Sequence, residues 1–322
     1  MNVLDRPRLP LVLSPTPLVP AGRLSDAIGT EVWFKRDDLT GRGLGGNKVR
    51  TLEYLLGDAQ AKGCDALVTG AGPQSNWAML AALSARAAGI APHLVFYGDP
   101  PKASGNLLLT QAVCADIRYT GELDRSSVDP MLDKVADQLA AAGHSPYVVP
   151  RGGATPVGCL GYVRAAAELL KQQSKAGVDP ATLWVPTGSC GTQAGLLAGA
   201  HWLGWDVEVV GVATSRTPDE SQARVRELAT ATLDLLAVES PDLAAPCVLG
   251  GFLGDGYGKA SPAGAAAAEL VAKTEGIFLD PVFGAKAMAA LVAGARKGNV
   301  RGPVVFLVTG GAPTLFMKGA DL

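Results

Sequence analysis

Residues 183–203 read LWVPTGSCGTQAGLLAGAHWL. A short apolar run ends in a turn of glycine and hydroxyl residues, and the turn opens into an Ala/Leu stretch long enough for three helical turns. That is the signature of a strand, a tight connection and a helix. The same order recurs along the chain. Strands are expected at 31–35, 66–69, 93–97, 116–119, 147–149, 183–186, 208–213 and 304–308. Helices are expected near 48–61, 75–88, 105–114, 127–142, 157–175, 191–203, 217–237, 262–274 and 284–296. Strands separated by helices of ten or more residues form βαβ units and not hairpins. The predicted fold class is therefore α/β, with two open twisted, mostly parallel sheets covered by helices. PRGG at 150–153 and KQQSKAGVDP at 171–180 are the breaks between two β/α series. A ligand is expected at the C-terminal ends of the strands. No fixed-period repeat points to a solenoid or propeller.

Composition narrows the function classes. The chain has 322 residues and a formal net charge of −2, which offers no electrostatic footprint for nucleic acid or an anionic membrane. No apolar run reaches the roughly 18–20 residues of a transmembrane helix. Prolines interrupt the opening MNVLDRPRLPLVLSPTPLVP where a signal peptide needs a helical stretch. The five cysteines at 64, 114, 159, 190 and 247 are dispersed and lack a CxxC pair, so neither disulfides nor zinc are expected. His93, His144 and His201 form no HExxH-type pair, and no metal is expected. A cytoplasmic protein is the economical expectation. Glycine is the outlier: 40 residues, about 12% against a usual share of about 7%.

Four segments concentrate the glycines: GRGLGGNK (41–48), GAGPQSN (70–76), TGSCGT (187–192) and TGGAP (309–313). The first matches GxGxxG, but RDDLT separates it from its strand and no acidic residue ends a second strand, so it is not a dinucleotide fingerprint. It is not a P-loop either, because Asn47 stands between Gly46 and Lys48 and Val49 replaces Ser/Thr. What remains is a lysine in the first turn of a helix. TGSCGT reads equally as a phosphate nest, with Ser189 and Thr192 as donors, or as an ordinary capped βα turn. Ser75 either caps a helix or helps bind a carboxylate on exposed amides. Cys190 is read as a small side chain tolerated in its turn.

Seven blocks together carry a family resemblance: FKRDDLTGRGLGGNKVRTLEYL (34–55), GAGPQSN (70–76), RGGATPVGCLGYV (151–163), PTGSCGTQAGL (186–196), GYG (256–258), LDPVFGAKAMAAL (279–291) and TGGAPTLF (309–316). They resemble pyridoxal-phosphate enzymes of the tryptophan-synthase-β fold type. Within it, they look most like the group of D-cysteine desulfhydrase and 1-aminocyclopropane-1-carboxylate (ACC) deaminase. The resemblance implies pyridoxal 5′-phosphate between two domains, the larger formed by 1–52 and 164–322 and the smaller by 53–163. It implies a Schiff base at Lys48, a bond from Asn76 to the cofactor's 3′-oxygen, and a phosphate cradle of Gly188, Ser189, Cys190, Gly191 and Thr192. Ser75, with Gln74 and Asn76, would take the substrate carboxylate, and Tyr257 would line the active site. A small amino-acid substrate and a homodimer are implied as well. The chemistry agrees: a free lysine titrates near about 10.4, so a reactive one needs burial.

Departures from the family pattern separate the reactions. Phe283–Gly284 stand where ACC deaminases carry Tyr–Glu, which argues against ring opening. Thr309 stands where desulfhydrase-like members place a threonine, beside the pyridine nitrogen. Trp77 replaces His or Gln next to the carboxylate site, either as core or as a pocket wall. Thr51 replaces a lysine near the phosphate. The resemblance thus implies α,β-elimination of D-cysteine, or an analogue such as cysteate, with Lys48, Ser75 and Tyr257 catalytic. The alternatives are ACC-type deamination to 2-oxobutyrate and β/γ-replacement.

Overall fold

The computed structural model describes residues 5–114, 116–240 and 243–316. Its strands pair into two sheets. One has four parallel strands, β3 (Ala66–Ala71), β4 (Ala91–Phe96), β5 (Asp116–Tyr119) and β6 (Pro146–Val148), in the order β5-β4-β3-β6. The other has six, β1 (Leu18–Pro20), β2 (Val32–Arg36), β7 (Thr182–Thr187), β8 (Glu208–Ala213), β9 (Cys247–Leu249) and β10 (Val304–Val308), in the order β1-β2-β10-β7-β8-β9. Among these, β1 alone runs antiparallel, with Val19 opposite Phe34.

Among the described residues ten α-helices cover the sheets: α1 (Gly22–Ile28), α2 (Lys48–Ala61), α3 (Asn76–Ala87), α4 (Gly105–Val113), α5 (Val128–Ala141), α6 (Pro156–Ala176), α7 (Gly191–Leu203), α8 (Pro218–Leu235), α9 (Pro262–Glu275) and α10 (Gly284–Arg296). Central strands β3 and β7 are buried along their whole length, which is why they read as unbroken apolar runs and not as alternation. Phe34 and Phe306 meet edge to face at 6.1 Å inside the core under α9 and α10. The opposite face of the same sheet packs on α6 and α7. The smaller sheet packs on α2, α3 and α4 on one side and α5 on the other.

The expected strands and helices are all present, with ends within two residues of their expected positions. Among the described residues two strands and one α-helix are additional, besides short 3-10 turns. Strands β1 and β9 have three residues each and sit at sheet edges, too short for any periodicity to register. Helix α1 has seven residues and no side-chain cap, and it ends at Gly29 in the left-handed region with φ 70°. No described helix is long and apolar enough to cross a membrane.

A buried ionic cluster holds α2, the helix that begins at Lys48. Arg50 donates through Nε and Nη2 to Asp37, both at 2.8 Å, and through Nη2 to Glu168 of α6 at 2.8 Å. Asp37 also accepts from Thr16 at 2.8 Å and Tyr162 at 2.7 Å. Lys35 of β2 reaches Glu168 and the Thr16 carbonyl. Burial alone would raise the Glu168 carboxyl, but Arg50 and Lys35 hold it down at about 2. Buried charges are tolerated only when each is paired and hydrogen-bonded, and this set meets that condition. The result is one register for α2 between β2 and α6.

Candidate active site

A cavity of about 550 Å³ opens where the two sheets face each other. Its walls come from the ends of parallel strands: Ala71 of β3, Pro150 after β6, Thr187 of β7, Ser215 after β8 and Thr309 after β10. This is where open α/β sheets hold ligands, because connecting loops there are free of the ladder.

Lys48 enters the cavity from the first turn of α2. The loop before it is fixed by geometry only glycine allows: at Gly45, φ 77°, a Cβ would lie 1.7 Å from the Asp38 carbonyl oxygen. Gly46 bridges to Gly310, and Asn47 N–H donates to the Thr309 carbonyl at 3.0 Å. Lys48 Nζ donates to Ser189 Oγ at 3.0 Å. Among the described residues no carboxylate lies within ion-pair distance of it. Burial without a counter-charge lowers its ammonium pKa to about 8.

Opposite Lys48, the turn from β7 to α7 carries Cys190 at φ 73°, the left-handed region. Helix α7 starts there with no side-chain cap, so its leading amides have no acceptor of their own element. The Gly188 carbonyl accepts from Ser215 Oγ at 2.9 Å and Arg216 Nη1 at 2.6 Å, which fixes the turn's peptide. A Cβ on Gly188 would stand 3.1 Å from the Phe283 ring, and one on Gly152 2.6 Å from Ser189 Cβ. Thr214 Oγ1 is buried beside Gly188 with no partner. An uncapped helix start and a desolvated amine without a counter-ion suit a small aldehyde carrying a phosphate ester.

Ser75 caps α3, its Oγ accepting from Ala78 N–H at 3.3 Å. Asn76 Oδ1 accepts from Asn106 at 2.6 Å, which leaves its Nδ2 to donate. Trp77 is 3% exposed, donates Nε1–H to Thr69 at 3.0 Å and still forms part of the cavity wall, so both expected roles meet in one side chain. Tyr257 packs edge to face on Phe283 at 6.2 Å. Burial raises its phenol pKa. Buried Lys286 of α10 holds the Tyr257 loop, donating to the carbonyls of Leu253 at 2.8 Å and Gly256 at 3.1 Å.

The sequence profile described as "Pyridoxal-phosphate dependent enzyme" matches residues 9–310. The chain belongs to this family. It is 39% identical over 322 residues to the D-cysteine desulfhydrase of Serratia proteamaculans, across 96% of this chain and 95% of that one. A Pyrococcus abyssi protein provisionally named an ACC deaminase is 38% identical over 317 residues, covering 98% and 95%. The solved structure of an ACC deaminase homologue superimposes with a TM-score of 0.92 at 37% identity, covering 98% and 94%. A threonine deaminase structure at 19% identity and TM-score 0.69 shares the fold. This pyridoxal-phosphate-dependent enzyme therefore has the fold and the cofactor that its seven blocks imply.

Most of the site residues read from sequence meet at the cavity of the enzyme: Lys48, Ser75, Asn76, Trp77, Tyr257, Phe283, Thr309 and the 188–190 turn with Thr192. Three do not line it. Thr51 lies behind Lys48, where a Cβ on Gly158 would touch its Cγ2 at 2.8 Å. Gln74 turns to α4, donating to the Ser104 carbonyl at 3.0 Å and accepting from Asn106 N–H at 3.1 Å. Gly191 packs against Ala154. Residues that sequence reasoning passed over are Tyr97, Arg125, Arg151 and Arg216, all in the wall. Arg216 falls in the loop after the expected strand 208–213, and Arg125 in the loop after 116–119, so position past a strand end was the available signal.

Proposed function

We propose that this enzyme catalyses α,β-elimination on a small β-substituted amino acid, D-cysteine first among the candidates. The observation that carries the reading is the wall around Lys48. It presents a base with a pKa of about 8, while the family's ring-opening pair is replaced by Phe283, whose ring packs on Tyr257, and Gly284, which has no side chain. Gly188–Thr192 would cradle the cofactor phosphate, Asn76 Nδ2 would donate to its 3′-oxygen, and Thr309 would face its ring nitrogen. When bound, pyridoxal phosphate supplies an electron sink for the pair left on the substrate's α-carbon. Ser75 and the start of α3 would hold the substrate carboxylate. Lys48 Nζ takes the α-proton, a step its lowered pKa favours near neutral pH. Tyr257 and Phe283 close the substrate side. The net change is cysteine plus water to pyruvate, ammonia and hydrogen sulfide. On family resemblance, the reading extends to a cytoplasmic homodimer.

A keto-acid assay across D- and L-cysteine, β-chloroalanine and ACC tests this. Pyruvate is expected from a β-substituted alanine, and K48A should lose both turnover and the cofactor's visible band. Y257F should retain the band and lose most turnover. Formation of 2-oxobutyrate from ACC, with no pyruvate from the others, would establish deamination instead.

A further inference from the structure

Two rings close the substrate side of the cavity, and they sit on separate pieces of chain. Tyr257 lies in the loop after β9 and Phe283 at the start of α10, and the ring centroids are 6.2 Å apart. The Tyr257 loop has little of its own to hold it. Gly254, Gly256 and Gly258 surround the tyrosine with φ of 63°, 122° and 82°, where glycine gives the backbone most freedom. Among the described residues Lys286 alone places side-chain hydrogen bonds on residues 250–260, at the carbonyls of Leu253 and Gly256. The second carbonyl belongs to the peptide that joins Gly256 to Tyr257.

Lys286 is fully buried, and burial lowers its ammonium pKa while Asp280 supplies the opposing charge. A buried ammonium is costly unless it is paired and hydrogen-bonded, and its bonds to carbonyls are charge-assisted and strong. Both of those bonds go to one loop. Asp280 meanwhile holds the other ring, accepting from the N–H groups of Phe283 at 2.7 Å and Gly284 at 2.8 Å. Two walls of the substrate side are thus joined through one pair of buried charges.

We propose that Lys286 is a positioning residue for the elimination: with Asp280 as its counter-charge, it ties the Tyr257 loop to the start of α10 and fixes Tyr257 against Phe283. The inference rests on the elimination reading above, in which Tyr257 touches the substrate. Lys286 is not among the residues lining the cavity, so it acts through the ring that it holds. Without the ammonium the two carbonyls turn to water, the glycines let the loop follow, and the Tyr257 hydroxyl leaves its place. A misplacement of about 1 Å at a reacting centre can cost about a hundredfold in rate. The loss falls on kcat more than on substrate binding, because the carboxylate seat at α3 belongs to another element.

The test uses holoenzyme and β-chloroalanine. K286M should lower kcat for pyruvate at least about tenfold, with KM moving less than about threefold. In the Y257F background the same substitution should cost less than about twofold, because the hydroxyl that Lys286 places is already gone. K286R should recover part of kcat. A second readout needs no turnover: fluorine NMR of fluorotyrosine-labelled protein, with the Tyr257 line assigned by its loss in Y257F. K286M should move that line and leave those of Tyr54, Tyr147 and Tyr162 in place. An unmoved Tyr257 line, or the same loss of kcat in both backgrounds, overturns the proposal and leaves Lys286 a residue of stability alone. If K286M does not fold, K286Q, which keeps one donor, carries both measurements. If neither β-chloroalanine nor cysteine gives pyruvate with wild type, the elimination reading fails, and the Tyr257 line still decides whether Lys286 holds the ring.

Discussion

At Lys48 the protein removes the two things that keep a lysine charged, water and a carboxylate. The group it donates to, Ser189 Oγ at 3.0 Å, is neutral. With a pKa of about 8, roughly 9% of the amine is free base at pH 7, against about 0.03% for a lysine at its ordinary value of 10.5. Borohydride trapping of pyridoxal phosphate on apo-protein should therefore rise with pH to a midpoint near 8, and K48A should show no trapping at this site. A midpoint near 10.5 would mean that burial does not govern this amine. The glycines before Lys48 set where it stands: with Gly45 against the Asp38 backbone, the loop packs main chain on main chain just before the helix.

At the scale of the element, α10 shows what sequence could and could not convey. Its span was legible from the Ala-rich run 284–296, and the family blocks pointed to Phe283. Nothing in LDPVFGAK said that Asp280 would cap it. Buried Asp280 accepts from the backbone N–H groups of Val282 at 3.0 Å, Phe283 at 2.7 Å and Gly284 at 2.8 Å. Burial outweighs these bonds and raises its pKa to about 6 from 3.8. The folded state thus holds the proton more tightly than the unfolded chain. The resulting stability is complete below about pH 3.8 and is lost as pH rises through 6, an amount on the order of 3 kcal/mol. Denaturant unfolding of wild type and D280N should diverge across this window, wild type losing about 3 kcal/mol relative to the variant between pH 3.5 and 7. Parallel profiles would place the proton elsewhere. Thr51 and Gln74 failed to reach the cavity for a related reason: a residue's place in a block does not say which side of its element it faces. Thr51 on α2 turns toward α6, and Gln74 is drawn to α4 by Ser104 and Asn106.

Across the whole molecule, the order of strands and helices followed from local patterning, because parallel sheets turn burial into long apolar runs such as Val304–Val308. The pairing of those runs into two sheets was harder to read. It depends on contacts as distant as β2 with β10, where Phe34 stands beside Phe306. The site then follows from the architecture, since the cavity wall draws on strand ends of both sheets. A ligand seated there binds only the folded arrangement of both. At a hundredfold excess over its Kd it stabilises by about 2.7 kcal/mol. For 322 residues, at about 2.1 cal/mol/K each, that is a rise of about 4 °C in Tm, and each further tenfold of free cofactor adds about 2 °C. Stripping the cofactor and titrating it back should move the melting transition by these steps, and a Tm indifferent to cofactor concentration would refute it. Should the two sheets melt separately, both transitions should move. A cofactor held by one sheet alone would leave the other transition in place, and the walls contributed by Ser75 and Asn76 on one side and by Gly188–Cys190 on the other would not share a ligand.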